Sequence, residues 1–139
     1  MLRICISVAM MAVSGTVALA QDYTTAAEVK SILEMTKPQW IAVREFDGKD
    51  LLYFTNLLAW RCGVSEIRYG LNGSAVDTVF AMEPCHEGTA APNALMMENG
   101  ELPYVTLDLG SVATVSVLVV FDDDSQTTAD YARAAIMTP

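Results

Sequence analysis

VATVSVLVVFDDDSQTTADYARAAI, residues 112–136, decides how the rest of the chain is read. Its first ten residues alternate, with Ala113, Val115, Val117, Val119 and Phe121 falling on one face of an extended strand. The β-branched content favours a strand over a helix. Asp122-Asp123-Asp124-Ser125 then supplies turn formers, and Thr127 to Ile136 is expected to return as a partner strand with Tyr131 turned inward. A C-terminal β-hairpin with one buried face follows.

Working back from that hairpin, Leu102 to Leu109 reads as another strand. Between Glu66 and Leu71 the alternation is equally clean, with Ile67, Tyr69 and Leu71 on one face and Glu66, Arg68 and Gly70 on the other. Asn72-Gly73 takes positive φ readily, so a tight hairpin into a strand over Val76 to Met82 is expected. Asn72-Gly73-Ser74 is also a glycosylation triplet in cells that glycosylate secreted proteins. Further upstream, Trp40 to Phe46 is β-rich, and Asp47-Gly48-Lys49-Asp50 supplies a turn. The apolar run Leu51 to Trp60 is compatible with a buried helix. Tyr53, Phe54 and Thr55 and the lack of caps favour a central strand.

Only one segment has helical period before this β region. Thr25-Ala26-Ala27-Glu28 has the capping-box form, Val29, Ile32, Leu33 and Thr36 recur at helical spacing, and Pro38 closes the segment. The expected architecture is mainly β: an immunoglobulin-like antiparallel β-sandwich of about seven strands preceded by one short N-terminal helix. An open antiparallel sheet with the helix over one face is the alternative. In domain terms, 1–20 is a leader, 21–38 an N-terminal segment with the amphipathic helix, and 39–139 a single sandwich domain.

The leader sets the compartment. Arg3 gives a positive start, Ile4 to Val13 an apolar run, and Ala18-Leu19-Ala20 a small-residue site, so cleavage after Ala20 and a periplasmic or extracellular location are expected. Ser14, Gly15 and Thr16 break the run short of a membrane span, so no membrane insertion after cleavage is expected. Beyond Ala20, seven Lys and Arg face seventeen Asp and Glu, a formal charge of −10. That charge argues against nucleic acid and anionic lipid as partners and for basic proteins, divalent cations or solubility alone.

Two cysteines follow the leader, Cys62 and Cys85, and in an oxidising compartment they are expected to form a disulfide. Residues 84–101, rich in Pro, Gly and Asn, then form a long loop tied at one end by Cys85. Trp60 and Arg61 beside it, and His86, Glu87 and Asn93 within it, are the candidate binding residues. Trp40, Tyr53, Trp60, Tyr69 and Tyr104 could line a carbohydrate or peptide groove, although strands also use aromatics for packing.

Catalytic signals are weak. Cys85-His86-Glu87 resembles a nucleophile beside a base, but a disulfide removes the thiolate, and no serine sits in a Gly-x-Ser-x-Gly elbow. No catalytic residue and no cofactor is assigned. Asp122, Asp123 and Asp124 at the hairpin tip are the one calcium candidate, although adjacent turn residues cannot all point inward and ligands from another loop would be needed. The expected function is a non-catalytic secreted binding module contacting an unknown protein or envelope polymer through the tethered loop. A small hydrolase using acidic residues, with or without calcium, is one alternative. An inhibitor or immunity-type protein against a basic secreted enzyme is another.

Overall fold

A computed structural model describes Gly15 and residues 22–139, so the leader expected over 1–20, Gly15 apart, lies outside the described residues. The protein is mainly β, with two antiparallel sheets. Helix α1 (Ala26–Met35) leads into β1 (Ala42–Phe46) and β2 (Lys49–Tyr53), followed by the single-turn helix α2 (Thr55–Leu58). Strands β3 (Val64–Leu71), β4 (Thr78–Val79), β5 (Tyr104–Asp108), β6 (Thr114–Phe121) and β7 (Gln126–Ala132) come next, and α3 (Arg133–Ile136) closes the chain. One sheet runs β1-β2-β5 and the other β4-β3-β6-β7.

Helix α1 begins as the capping box dictates. Thr25 Oγ1 accepts from the Glu28 N–H, and the Glu28 carboxylate accepts from the Thr25 N–H at 3.0 Å. Ala26, Val29 and Leu33 are buried, while Lys30 lies over the Phe121 ring and Glu34 accepts from the Thr127 hydroxyl. The helix therefore covers the Phe121–Thr127 end of the four-stranded sheet. Val43 and Leu52 of the other sheet belong to the same buried cluster as Ile67, Val115, Val117 and Val119.

Four expectations from the sequence are corrected. First, Leu51 to Trp60 is not one strand: β2 ends at Tyr53, α2 follows, and a 3-10 turn over Arg61–Gly63 leads into β3. A strand would point Leu57 and Leu58 to opposite faces, whereas the helical turn buries Phe54, Leu57 and Leu58 together. Second, Trp40 lies outside β1. It closes the 3-10 turn Lys37–Gln39, with its buried indole N–H donating to the Leu33 carbonyl at 2.9 Å.

Third, the two-residue turn at Asn72-Gly73 forms, with the Ser74 N–H donating to the Leu71 carbonyl at 2.9 Å, but the strands do not pair directly across it and β4 is shorter than Val76 to Met82. Asn72 and Gly73 do take positive φ, 54° and 80°, but pairing is confined to Arg68 with Val79 and Tyr69 with Thr78. The Asn72 amide is engaged elsewhere, accepting from the Ala113 and Thr114 N–H groups and donating to the Ser111 carbonyl. The chain then folds back over Gly70, where a Cβ would lie 2.6 Å from the Ser74 and Ala75 carbonyl oxygens. A hairpin paired directly across its two-residue turn forms at Asp47-Gly48, both at positive φ, with Phe46 paired to Lys49.

Fourth, the C-terminal strand stops at Ala132 rather than reaching Ile136, and Ala113 lies outside β6 and is exposed. Both changes serve one ion pair. Asp50, fully buried on β2, accepts two hydrogen bonds from Arg133 and one from the Val112 N–H. Turning the chain at Arg133 and bending it at Val112 brings those donors to the carboxylate. The inward set Val115, Val117, Val119, Phe121 and Tyr131 is buried as its alternation requires.

Candidate functional site

The Cys62–Cys85 disulfide joins the 3-10 turn after α2 to the start of the long connection between β4 and β5, with Cα atoms 4.9 Å apart. Beside it Arg61 is 2% exposed. Its guanidinium donates to the carbonyls of Leu58, Glu83, Pro84, Asn93 and Ala94, at 2.8–3.1 Å for all but the shorter Asn93 contact, and to the Glu83 carboxylate at 3.1 Å. Burial pulls the Arg61 pKa down from its ordinary value and the Glu83 charge opposes that shift. Five donors in a rigid fork suit this cage of carbonyls.

The Glu83 carboxylate carries the bracing across the loop. It accepts from the backbone N–H groups of Met96 and Met97. Asn93 completes the frame: its Oδ1 accepts from the Cys62 N–H at 2.9 Å, and its amide donates to the carbonyls of Asp22 and Tyr23. The loop is thus held at Cys85, Asn93, Met96 and Met97. Between these anchors the Met96 and Met97 side chains face solvent, 53% and 50% exposed, with Leu102 at 50% further along. Met97 sits in the left-handed region, φ 53°, which an unbranched L-residue occupies at a cost of about 1 kcal/mol.

The sequence-derived candidates are brought to one region in different roles. Arg61 and Asn93 turn their polar atoms to the protein's own backbone. Trp60 is half-buried and meets Tyr23 edge-to-face, ring centroids 5.0 Å apart. His86 is half-buried, and its Nε2 is enclosed without a hydrogen-bond partner, 3.7 Å from Glu83 Oε2. His86, Ala91, Ala94, Met96 and Glu98 line a cleft of about 370 Å³. Glu87 is exposed and, with Asp122, lines a second cleft of about 300 Å³ beside the disulfide. The Asp122 pKa is raised from its ordinary value, first by burial and then by the charges of Glu87 and Asp123.

Sequence reasoning missed Glu83, Met96 and Met97. A methionine doublet inside a Pro-, Gly- and Asn-rich stretch was the available signal for the last two. Nothing local marks Glu83, whose partners are 13 to 22 residues away.

The other constellations separate. Cys85 is committed to the disulfide, so Cys85-His86-Glu87 presents no thiol. Of the three aspartates, Asp123 pairs with Lys30 and accepts from Ser125, which hold it at about 2. Asp124 occupies a left-handed turn position, φ 65°. Among the described residues, no group of three or more His, Cys, Asp or Glu gathers closely enough to hold a metal ion. No described helix is long and apolar enough to cross a membrane. Comparison with family models, with curated proteins and with solved structures found no match.

Proposed function

We propose that this chain is a small extracytoplasmic binding module without catalytic activity, and that the loop over residues 84–101 is its contact surface. The observation that carries the reading is the loop's construction: a disulfide, a caged arginine and a bridging carboxylate fix a backbone that holds Met96 and Met97 out in solvent. Ordering a loop before binding removes an entropic cost from the binding step. Methionine side chains adapt to a partner's shape, and a strained backbone position at Met97 fits a place where function rather than stability set the geometry. The partner is a protein or envelope polymer, and the charge of −10 beyond Ala20 favours a basic one.

The strand order supports reading the two sheets as an immunoglobulin-like sandwich. Its strand order, β1-β2-β5 against β4-β3-β6-β7, equals the constant-type arrangement with the fourth strand moved from the first sheet to the second. An extracytoplasmic location fits the leader and the disulfide.

Capture from an envelope extract of the producing cell tests the function. Immobilised protein should retain a discrete species that the Met96→Asp, Met97→Asp double variant loses, with the variant's melting temperature unchanged. Equal retention by both proteins would remove the loop from the account.

A further inference from the structure

In a chain with seventeen carboxylates against seven Lys and Arg beyond the leader, a cation without a partner is unexpected. Six of the seven are in ion pairs. Lys30 pairs with Asp123, Lys37 with Glu34, Lys49 with Asp108, Arg61 with Glu83, Arg68 with Glu66, and Arg133 with Asp50 and Glu45. Among the described residues Arg44 alone pairs with no carboxylate. It is exposed on β1, its guanidinium carbon 4.8 Å from the centre of the Phe46 ring.

Strand register shows what surrounds it. Ala42, Tyr53 and Tyr104 form one cross-strand row, and Arg44, Leu51 and Thr106 the next, on the same face of the three-stranded sheet. That face is the outer one, because Val43 and Leu52 of the opposite face are fully buried. The Tyr53 and Tyr104 rings are half-buried, with centroids 5.0 Å apart and planes tilted by 51°, so Tyr104 backs the Tyr53 ring from β5. Arg44, Tyr53, Thr55, Asn56 and Thr138 line a cleft of about 340 Å³, within the range of small-molecule sites. The Asn56 amide donates to the Gln39 carbonyl at 2.6 Å, which directs the group and leaves its oxygen to accept. Glu45 and Asp50 share the inner-face row with Leu107, where Arg133 holds both.

We propose that this cleft binds an acidic saccharide, with the carboxylate of a uronic acid residue on the Arg44 guanidinium and the C–H face of a sugar ring on Tyr53. An arginine fork matches a carboxylate bidentately, and the electron-rich faces of aromatic rings attract polarised C–H groups. A saccharide answers the whole lining, because it brings a carboxylate, an apolar ring face and hydroxyls that match Thr55, Asn56 and Thr138. An acidic peptide would use the arginine and leave the Tyr53 ring face without a partner. The site stands apart from the 84–101 loop and does not depend on that loop's role; the carboxylate is drawn by the local unneutralised charge of Arg44, against the chain's overall negative charge.

Titration with trigalacturonate, followed by backbone amide shifts, tests the proposal, with maltotriose as the neutral control and triglutamate as the peptide control. Trigalacturonate should shift amides of β1, β2 and β5, and Arg44→Gln or Tyr53→Ala should each weaken it at least about tenfold, the scale of one lost charge-assisted hydrogen bond. Thr128→Ala on the outer face of the other sheet should change nothing. Absence of shifts, affinity unaltered by Arg44→Gln, or equal binding of triglutamate would each overturn the assignment.

Discussion

Arg61 satisfies five carbonyl oxygens and a carboxylate with one side chain. Replacing it with alanine leaves Glu83 charged and unpaired in a buried position and strips the carbonyls of their donor. Arg61→Ala should therefore cost about 3–5 kcal/mol, read as a lower urea midpoint. A loss under about 1 kcal/mol would mean that water replaces the guanidinium easily. Asp50 is the other buried charge. The hydrogen bonds from Arg133, with lesser ones from backbone N–H groups, hold its carboxyl well below the usual range against the opposing effect of burial. A group lowered on folding contributes stability that is complete above its unfolded value, near 4, and is lost as pH falls toward the folded value. Melting temperature should accordingly decline below about pH 5, and Asp50→Asn should start lower at neutral pH and show a shallower acid limb. An identical acid limb in both proteins would assign the dependence to other carboxylates.

At the scale of elements, α1 rests directly on the turn that carries Arg61 and Cys62. A Cβ on Gly63 would come within 2.4 Å of Val29 Cγ2 and 2.6 Å of the Thr25 carbonyl oxygen. Gly63→Ala must push the N-terminus of α1 away, at about 1–3 kcal/mol, and hydrogen exchange should report the loosening in residues 25–30. Unchanged exchange there would place the contact elsewhere. Cys62→Ser should cost about 2–5 kcal/mol by releasing the loop's tether, and an unchanged melting temperature after reduction would contradict that. Elements whose information is local were legible in the sequence: the Thr25–Glu28 capping box, the β6 alternation, and turn formers at Asp47-Gly48 and Asn72-Gly73. Leu51 to Trp60 was not legible, since its helical turn answers to burial on several sides at once rather than to any local period. The length of β4 was hidden for a similar reason. It depends on Asn72 bonding to residues 111–114, some 40 positions away.

Across the whole molecule, two sheets and one helix close a core whose residues the alternation largely identified, while the site region depends on pairings no window of sequence contains. The sequence marks Arg61 and Asn93 as candidate binding residues, whereas in the structure their polar atoms serve the protein's own backbone. Their charge and polarity signalled a site, and only the surrounding carbonyls show that they build it rather than face outward. Glu83 and the exposed methionines complete it. The account turns on that loop being ordered before any partner arrives. Amide hydrogen exchange at Met96 and Met97 in the oxidised protein measures this most directly. Bonded to the Glu83 carboxylate, both amides should be protected although their side chains are in solvent, and Glu83→Gln should weaken that protection. Exchange at the rate of an unstructured chain in the unmodified protein would mean the loop is not a preformed surface, and the binding role assigned to it would fall.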